Sequence, residues 1–483
     1  MTVKIPSSRT RAKQKDDPIS IRLLGPPAFY TSGDRVEGTL CVATTFQPAR
    51  IGIRLKGFSN LREPREKDIR VNLFQESFDL FVLSDAGNGF QLLCQDATDD
   101  GKVQFPFSFI FPSNVTIPPP ADRVWRYSGD YYNHPRFQHS PGFPLPPTCF
   151  RLVATQIPLA PQIIYELEAC LEFITPGRKP TKRYQSLQYT PPAPPFHPAL
   201  LQPDLNFGVR LPSHYNRQKF IRTRKLFPDY EQNSKLSKFR DKLVEKELFL
   251  GLESYAEVPY VTFNLFATPP RVLVIGERVP AIITVQHLKR SASLPNPPDL
   301  FLRRLKVQLI ATFTTFICSL YRHGEEVLHS EKDTIVLCDK KFDTDNGEPL
   351  YDGMSVLHVA DVELANDYRI IPSFTSYGCN LEYELQIELW SACADREIHD
   401  IACTQPVQVV TSWQDPAAPL LAELSTEAEP RPAYQERDPM AHASETDLFH
   451  HAGQLLEAGY ELDSSHRAPP PSTDWDPPPE YSF

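Results

Sequence analysis

The clearest chemistry in this sequence lies close to its last residue, and that chemistry is recognition of a partner. Pro478, Pro479 and Tyr481 form the pattern Pro-Pro-Glu-Tyr, or PPxY. Consecutive prolines restrict φ and favour the polyproline II helix, so little conformational entropy remains to be lost on binding. Such prolines stack in the aromatic groove of a WW domain, while the tyrosine buries its ring and keeps its hydroxyl hydrogen-bonded. The motif therefore predicts that Pro478, Pro479 and Tyr481 bind a WW domain.

The segment that carries this motif, residues 413–483, is rich in proline and acidic residues and poor in β-branched residues. Such a composition cannot bury enough apolar surface to offset chain entropy, which predicts a disordered tail. A coil from Trp413 to Asp476 would span roughly 45 Å root-mean-square, at about 5–6 Å per square root of the residue number. Pro432 and Tyr434 form a degenerate version of the motif and are a candidate weak second site.

Residues 191–258 combine prolines with a basic, polar stretch, and we expect them to form a linker or a long insert. Residues 234–250 have the spacing of a short helix. The charges are typical of a solvated face, and the alternative is a cationic patch that contacts a membrane or an acidic partner segment. Four lysines of this stretch are candidate ubiquitin acceptors: Lys235, Lys238, Lys242 and Lys246.

The sequence lacks the motifs that mark common catalytic sites. It contains no GxSxG elbow, P-loop, GxGxxG or HExxH pattern. His450 and His451 are adjacent, so on a helix they would point apart and make a poor ligand pair. We therefore expect a protein that is not an enzyme and that needs neither a metal nor another cofactor.

Composition indicates the cellular compartment and argues against nucleic acid as a partner. The nine cysteines are scattered and include no CxxC pair, which favours reduced thiols in a cytosolic protein. A formal net charge of -10 argues against nucleic acid as a partner. No apolar run reaches the roughly 18–20 residues of a membrane span. Residues 1–17 are basic and lack a hydrophobic stretch, which indicates a disordered leader, with weak contact to anionic lipid as the alternative.

Alternation of apolar and polar residues predicts that most of the chain is β-sheet. Between residues 105 and 111, phenylalanine occupies every second position. Similar stretches with a period of two occur at residues 163–169, 305–311 and 383–389. This alternation places one set of side chains on a core and the other set in solvent. Short strands separated by Gly, Pro and Asp turns predict an all-β protein built from antiparallel, immunoglobulin-like β-sandwiches.

Two parts of this β-rich region repeat one another. Gly33-Asp34-Arg35-Val36 is echoed by Gly276-Glu277-Arg278-Val279, and Tyr165-Glu166-Leu167 is echoed by Tyr383-Glu384-Leu385. The repeat predicts two tandem sandwiches built on one plan. The predicted divisions are a leader at 1–17, sandwiches at 18–190 and 259–412, a linker at 191–258 and a tail at 413–483.

The order of these motifs resembles the arrestin superfamily, and in particular the α-arrestins of the fungal type. The segment GPPAFYTSGDRVEGTLCV, from Gly25, is similar to the opening of an arrestin N-domain. GKVQFPFSFIFPSNVTIPPP, from Gly101, is similar to a later stretch of that domain, and IPSFTSYGCNLEYELQIEL, from Ile371, to the close of an arrestin C-domain. The resemblance covers residues 19–410 and implies two arrestin-like β-sandwich domains. The chain departs from the family in an enlarged loop at 113–160, in its long inter-domain connection and in lacking a segment assignable to the phosphate sensor of receptor-binding arrestins.

The resemblance implies an adaptor that binds cytosolic regions of membrane transporters or receptors. Its PPxY motif would recruit a WW-domain HECT-type ubiquitin ligase and so promote ubiquitin-dependent endocytosis and sorting. The expected location is cytoplasmic, peripherally at the plasma membrane and endosomes. Two alternatives share the double sandwich: a structural coat scaffold of the retromer type, and a signalling arrestin of the ambient-pH type.

Overall fold

The structure is a computed structural model, and it describes residues 18–46, 48–61, 69–83, 89–98, 101–119, 134–149, 162–175, 177–203, 218–227, 230, 258–318, 326–342, 347–366 and 369–412. These residues are nearly all β-strand and loop, which confirms the predicted all-β class. The described helices are short, at Gly89–Leu93 and Val356–Val359, with 3-10 turns at Cys94–Asp96, Pro198–Leu201 and Arg224–Leu226. The predicted disordered termini and the predicted helix at 234–250 lie outside the described residues.

The first half of the chain contributes seven strands in two antiparallel sheets. They are β1 (Ile19–Leu23), β2 (Arg35–Ala43), β3 (Pro48–Leu61), β4 (Ile69–Val82), β5 (Lys102–Ile110), β6 (Gln162–Phe173) and β7 (Thr181–Leu187). One sheet has the order β1-β2-β5 and the other has the order β4-β3-β6-β7. Every second residue of β5 is buried, and the buried side chains of both sheets belong to one apolar core, so the apolar faces of the sheets face one another.

The second half contributes eleven strands, again in two sheets. They are β8 (Lys219–Arg222), β9 (Tyr260–Thr268), β10 (Val272–Val274), β11 (Ile282–Arg290), β12 (Leu300–Cys318), β13 (Glu326–Lys341), β14 (Glu348–Leu350), β15 (Met354–Ser355), β16 (Phe374–Ser376), β17 (Cys379–Cys393) and β18 (Arg396–Val410). The smaller sheet has the order β15-β11-β9-β8. The larger sheet has the path β10-β18-β17-β12-β13, with β14 on β12 and β16 on β17. Strand β8 comes from the stretch interpreted as a linker, so that stretch supplies an edge strand to the second half.

The phenylalanines of β5 show why alternation predicts these strands. Phe105, Phe107 and Phe109 are buried, whereas the residues between them are exposed. Burial of each such ring contributes about 1.5–3 kcal/mol, which is large enough to fix the face that the strand turns inward. Phe109 stacks on Phe78 of β4, with ring centroids 4.8 Å apart, and so links the two sheets of the first half.

The repeated glycine turn of the first half is held by a distant segment. Gly33 has a φ of 84°, a left-handed value that favours glycine. Its backbone N–H donates to the carbonyl of Phe111 at 2.9 Å, and the N–H of Phe111 donates to the carbonyl of Asp34 at 2.8 Å. The chain that follows β5 therefore clamps the turn that precedes β2.

The second half repeats this clamp with different residues. Gly276 has a φ of 86°, and its N–H donates to the carbonyl of Leu364 at 2.6 Å. The N–H of Leu364 donates to the carbonyl of Glu277 at 2.9 Å. Phe111 and Leu364 are thus equivalent positions, although their sequences give no sign of it. The repeat seen in the sequence corresponds to a repeat of backbone hydrogen bonds.

Two further features recur in both halves. The buried Tyr165 donates its hydroxyl to the carbonyl of Pro146 at 2.6 Å, and the equivalent Tyr383 donates to the carbonyl of Ile371 at 2.8 Å. These bonds tie the penultimate long strand of each half to a loop upstream of it, as the tyrosine corner of immunoglobulin-like sandwiches does. The residue three before each turn glycine also pairs in parallel with the last segment of its half: Tyr30 with Tyr189, and Leu273 with Val409.

Candidate partner-binding site

The residues predicted to bind partners through the tail lie outside the described part of the chain. They are Pro478, Pro479 and Tyr481 of the PPxY motif, Pro432 and Tyr434 of the degenerate motif, and the candidate acceptors Lys235, Lys238, Lys242 and Lys246. These assignments stay predictions. The structure does describe the surfaces of the two β-sheet halves, which together form the body of the protein.

A groove of about 770 Å³ crosses the outer face of the larger sheet of the second half. Its floor comes from β12, β13, β17 and β18, and one wall comes from Ser373 and the first two residues of β16. Arg136, which belongs to the first half of the chain, also lines the groove. This volume is within the usual range of ligand pockets, about 300–1,000 Å³.

Strand register fixes the order of side chains on the groove floor. Thr312 of β12 lies opposite Lys332 of β13 on one side and opposite Glu382 of β17 on the other. One row further along, Ile310 of β12 lies opposite Glu384 of β17. Because alternate residues share a face, Glu382 and Glu384 point to the same side. The floor therefore carries a cation at one edge and two carboxylates near its centre.

Three charged side chains of this groove lack ion-pair partners among the described residues. Arg136 and Lys332 are exposed, Glu384 is half-buried, and none of the three has an ion-pair partner in the described parts of the chain. Glu382 accepts one hydrogen bond, at 3.0 Å, from the side-chain amide of Asn380. The groove thus presents opposite charges at two separate places.

In the same sheet, a different glutamate has several hydrogen-bond and ion-pair partners. Glu388 of β17 is 8 % exposed. It accepts a hydrogen bond at 2.8 Å from Gln308, lies 3.0 Å from His399 Nε2 and 3.5 Å from Lys306 Nζ. A buried charge of this kind is tolerated because neighbouring strands supply its partners.

Next to Glu388, an aromatic ladder crosses the sheet away from the groove. Trp390 stacks on His399 of β18 with centroids 4.3 Å apart, and the guanidinium of Arg304 lies 4.5 Å from the centre of the Trp390 ring. Arg304 also pairs with Asp339 of β13 through two hydrogen bonds of 2.6 Å each. This ladder connects four adjacent strands and leaves its charges paired.

The first half carries a comparable ion-pair cluster on its four-stranded sheet. Lys56 of β3 is buried, pairs with Glu166 at 3.0 Å and also donates a hydrogen bond to Glu168. Lys182 of β7 lies 2.9 Å from Glu168. Burial acts against ionisation of Glu168, but the hydrogen bonds from Lys182 and Lys56 outweigh it and lower the pKa of Glu168.

A loop of the first half places Arg136 beside the groove. Within this loop, the backbone N–H of Gln138 donates to the carbonyl of Ser376 at 3.1 Å, next to the hairpin between β16 and β17. Other contacts join the same regions: Phe137 with Phe316 at 6.0 Å, Phe143 with Tyr377 at 4.9 Å, and Tyr377 Oη with the carbonyl of Ile117 at 3.1 Å. His134 lies at the start of the loop, and burial, with Arg136 and His139 nearby, lowers its pKa. The loop predicted to be enlarged is therefore part of the junction between the halves.

Three further findings concern the described residues alone. No group of three or more His, Cys, Asp or Glu side chains among them could hold a metal ion. The cysteines whose side chains are described are free thiols. No described helix has the length and apolar character needed to cross a membrane.

Sequence reasoning missed the charged residues of the groove. Arg136 lies in the segment interpreted as an enlarged loop, and no role was predicted for either Arg136 or Lys332. The available signal was the alternation around Glu382 and Glu384, which predicts that both face outward from one strand. The strands that lie beside them depend on long-range pairing, which the local pattern does not give.

Comparisons with known proteins add no identity to this geometry. No protein-family model and no curated protein matches the chain.

Proposed function

We propose that this protein is an arrestin-like adaptor that links membrane-protein cargo to a WW-domain HECT-type ubiquitin ligase. The PPxY motif at Pro478, Pro479 and Tyr481 carries the proposal, because its residues suit one recognised mode of binding. The ligase would then promote ubiquitin-dependent endocytosis and sorting of the cargo. The protein would act in the cytoplasm, peripherally at the plasma membrane and endosomes.

The repeated β-sheet body supports the part of this proposal that concerns cargo binding. Its two halves share clamped turns and tyrosine hydrogen bonds, so their outer faces are held on firmly packed sheets. Binding sites on rigid elements lose little conformational entropy when a partner docks. The groove beside Arg136 is a concave, charged surface on such a sheet and is large enough for several residues of a peptide.

The length of chain between the body and the PPxY motif supports the part of the proposal that concerns ligase binding. More than sixty residues separate β18 from Pro478, and a coil of that length spans roughly 45 Å. A ligase held at the end of such a linker reaches both a bound cargo and lysines of the adaptor at high effective concentration. Ubiquitin transfer to Lys235, Lys238, Lys242 or Lys246 would follow from the same arrangement.

A binding measurement with purified components tests the ligase handle. The full chain, its Tyr481→Ala variant and a matched Tyr434→Ala variant are titrated with a WW-domain array of a HECT-type ligase. Loss of the Tyr481 ring and hydroxyl should weaken binding by about 2 kcal/mol or more, which is about thirtyfold. Tyr434→Ala should change the affinity by no more than about twofold, because its motif lacks the first proline.

Equal affinity of the Tyr481→Ala variant and the unaltered chain would refute this mechanism. Stable co-purification with a fixed coat complex, unaffected by removal of residues 413–483, would instead support a structural scaffold.

A further inference from the structure

One carboxylate of the groove lacks the lysine that its counterpart in the first half possesses. The repeat that aligns Tyr165 with Tyr383 also aligns Glu166 with Glu384. In the first half, the residue opposite Glu166 on β3 is Lys56, and the two form an ion pair of 3.0 Å. In the second half, the residue opposite Glu384 on β12 is Ile310.

Glu384 therefore has no ion-pair partner among the described residues, although the equivalent position of the first half supplies one. Half-buried carboxylates usually acquire partners, since loss of water around a charge is costly. Glu388, two rows away on the same strand, has four such partners. The charge of Glu384 is therefore better explained by a cation that comes from outside the chain.

The opposite charge comes from two other side chains that line the groove. Lys332 and Arg136 both line it, and neither forms an ion pair among the described residues. Lys332 and Glu382 flank Thr312 on neighbouring strands, so their backbones are about 10 Å apart, twice the spacing of paired strands. A ligand that satisfies both ends must carry opposite charges at a similar separation.

An extended peptide has this spacing. In a polyproline II conformation, side chains three positions apart share one side of the peptide and are about 9 Å apart. A free amino acid is too short to reach both ends, and nucleic acid would place phosphates against Glu382 and Glu384. Charge complementarity thus favours a peptide that carries an acidic and a basic residue three positions apart, in either order along the peptide.

We propose that the groove between Arg136 and β17 binds an extended segment of a partner protein that carries an acidic and a basic residue three positions apart. The acidic side chain pairs with Arg136 and Lys332, and the basic side chain lies against Glu382 and Glu384. This proposal deepens the proposed function, on which it rests for the nature of the partner, by naming the segment that the body recognises.

The test uses fluorescent peptides of about twelve residues and the full-length chain at low ionic strength. One peptide carries Glu and Arg three positions apart in a Ser/Gly/Pro host, and the other has Gln at both positions. The charged peptide should bind about tenfold more tightly than the neutral peptide. A peptide with two Glu residues and one with two Arg residues should each bind more weakly than the mixed peptide.

Ile310→Lys gives the sharpest variant, because it rebuilds the ion pair of the first half. The new lysine should neutralise Glu384 and reduce the affinity for the mixed peptide to about that of the neutral one. Lys332→Glu should change the preferred peptide, so that the peptide with two Arg residues binds better than the mixed peptide. Lys341→Glu, on the same strand but outside the groove, is the matched control and should change the affinity less than twofold.

Several results would overturn the proposal. These are equal binding of the mixed and neutral peptides, or unchanged affinity in Ile310→Lys and Lys332→Glu when circular dichroism shows both to be folded. Tighter binding after removal of residues 413–483 would place this chain's own tail in the groove. A dimer that Lys332→Glu dissociates would place a second copy there. The Tyr481 variant is a separate measurement, so failure of the ligase handle is distinguishable from failure of the groove.

Discussion

Glu166 and Glu384 occupy the same place in two copies of one backbone plan, yet their surroundings differ. Glu166 lies beside the buried Lys56, whereas Glu384 lies beside Ile310 and opens into a groove. The hydrogen bonds that clamp the glycine turns and the tyrosines are the same in both halves. The comparison indicates that the two halves share a backbone plan but differ in the charges on their outer faces.

The largest expected effect tests whether both halves depend on their clamps. Phe111→Ala and Leu364→Ala each remove a buried side chain from the segment that holds a glycine turn. We expect losses of about 3–5 kcal/mol for Phe111→Ala and about 2–5 kcal/mol for Leu364→Ala. Phe111 should cost more because its ring contacts Tyr165 and Tyr189 at 5.5 and 4.9 Å. Urea unfolding measures both, and no loss for either variant would contradict the equivalence of the two positions.

Acid unfolding sharpens the comparison, because the pKa values of two buried carboxylates are shifted in opposite directions. The pKa of Glu168 is lowered, so its stabilisation is present above its ordinary value of 4.5 and is lost as the pH falls through the folded pKa. The pKa of Asp400 is raised by burial, which the hydrogen bond from Lys219 only partly offsets. Its folded state favours the protonated form, so its contribution is largest at low pH and is lost as the pH rises.

The corresponding variants should therefore change the pH dependence in opposite directions. Between pH 7 and pH 4, Glu168→Gln should lose less thermal stability than the unaltered chain, and Asp400→Asn should lose more. Thermal melts across that pH range measure the difference. Parallel curves for the two variants would show that one of these signs is wrong.

A smaller effect comes from the two tyrosine hydroxyls. Tyr165→Phe and Tyr383→Phe keep the ring and remove the hydrogen bond to Pro146 or Ile371. Each should cost about 1–2 kcal/mol, since a carbonyl loses its partner in a buried setting. Similar losses in both halves would agree with the shared plan, whereas a loss in one half alone would break the comparison.

The smallest effect should come from two exposed ion pairs at equivalent positions. Arg50 pairs with Asp79 through bonds of 2.8 and 2.9 Å, as Arg304 pairs with Asp339. Exposed pairs of this kind contribute little, because solvent screens them. Arg304→Ala should still destabilise slightly more than Arg50→Ala, since Arg304 also covers Trp390. A larger loss in Arg50→Ala would contradict this ranking.

The sequence predicted features that depend on local pattern and failed to predict those that depend on distant pairing. Alternation identified the buried phenylalanines of β5, and the echo of Gly33 in Gly276 identified two turns, whose glycines have positive φ in the structure. The partners of those turns, Phe111 and Leu364, come from segments with no common sequence. Strand β8 was hidden in a basic stretch because four residues are too few to show a period, and its strand character depends on pairing with β9.

The candidate groove lay beyond sequence reasoning for the same reason. Lys332, Thr312 and Glu382 become neighbours through the register of three long strands, and Arg136 joins them through contacts across the junction. A local pattern gives the face that each side chain takes but not the strand beside it. The PPxY motif is the opposite case, because its chemistry is complete within four consecutive residues.

We propose that the rigid, duplicated body and the PPxY motif act together to bring a ubiquitin ligase to a partner. Crosslinking and mass spectrometry of the complexes formed by the intact chain, and by a chain without residues 474–483, test this claim directly. We predict that the shortened chain loses the HECT-type ligase and keeps the membrane proteins crosslinked to the body. Recovery of the ligase in equal amounts with both chains would contradict the account.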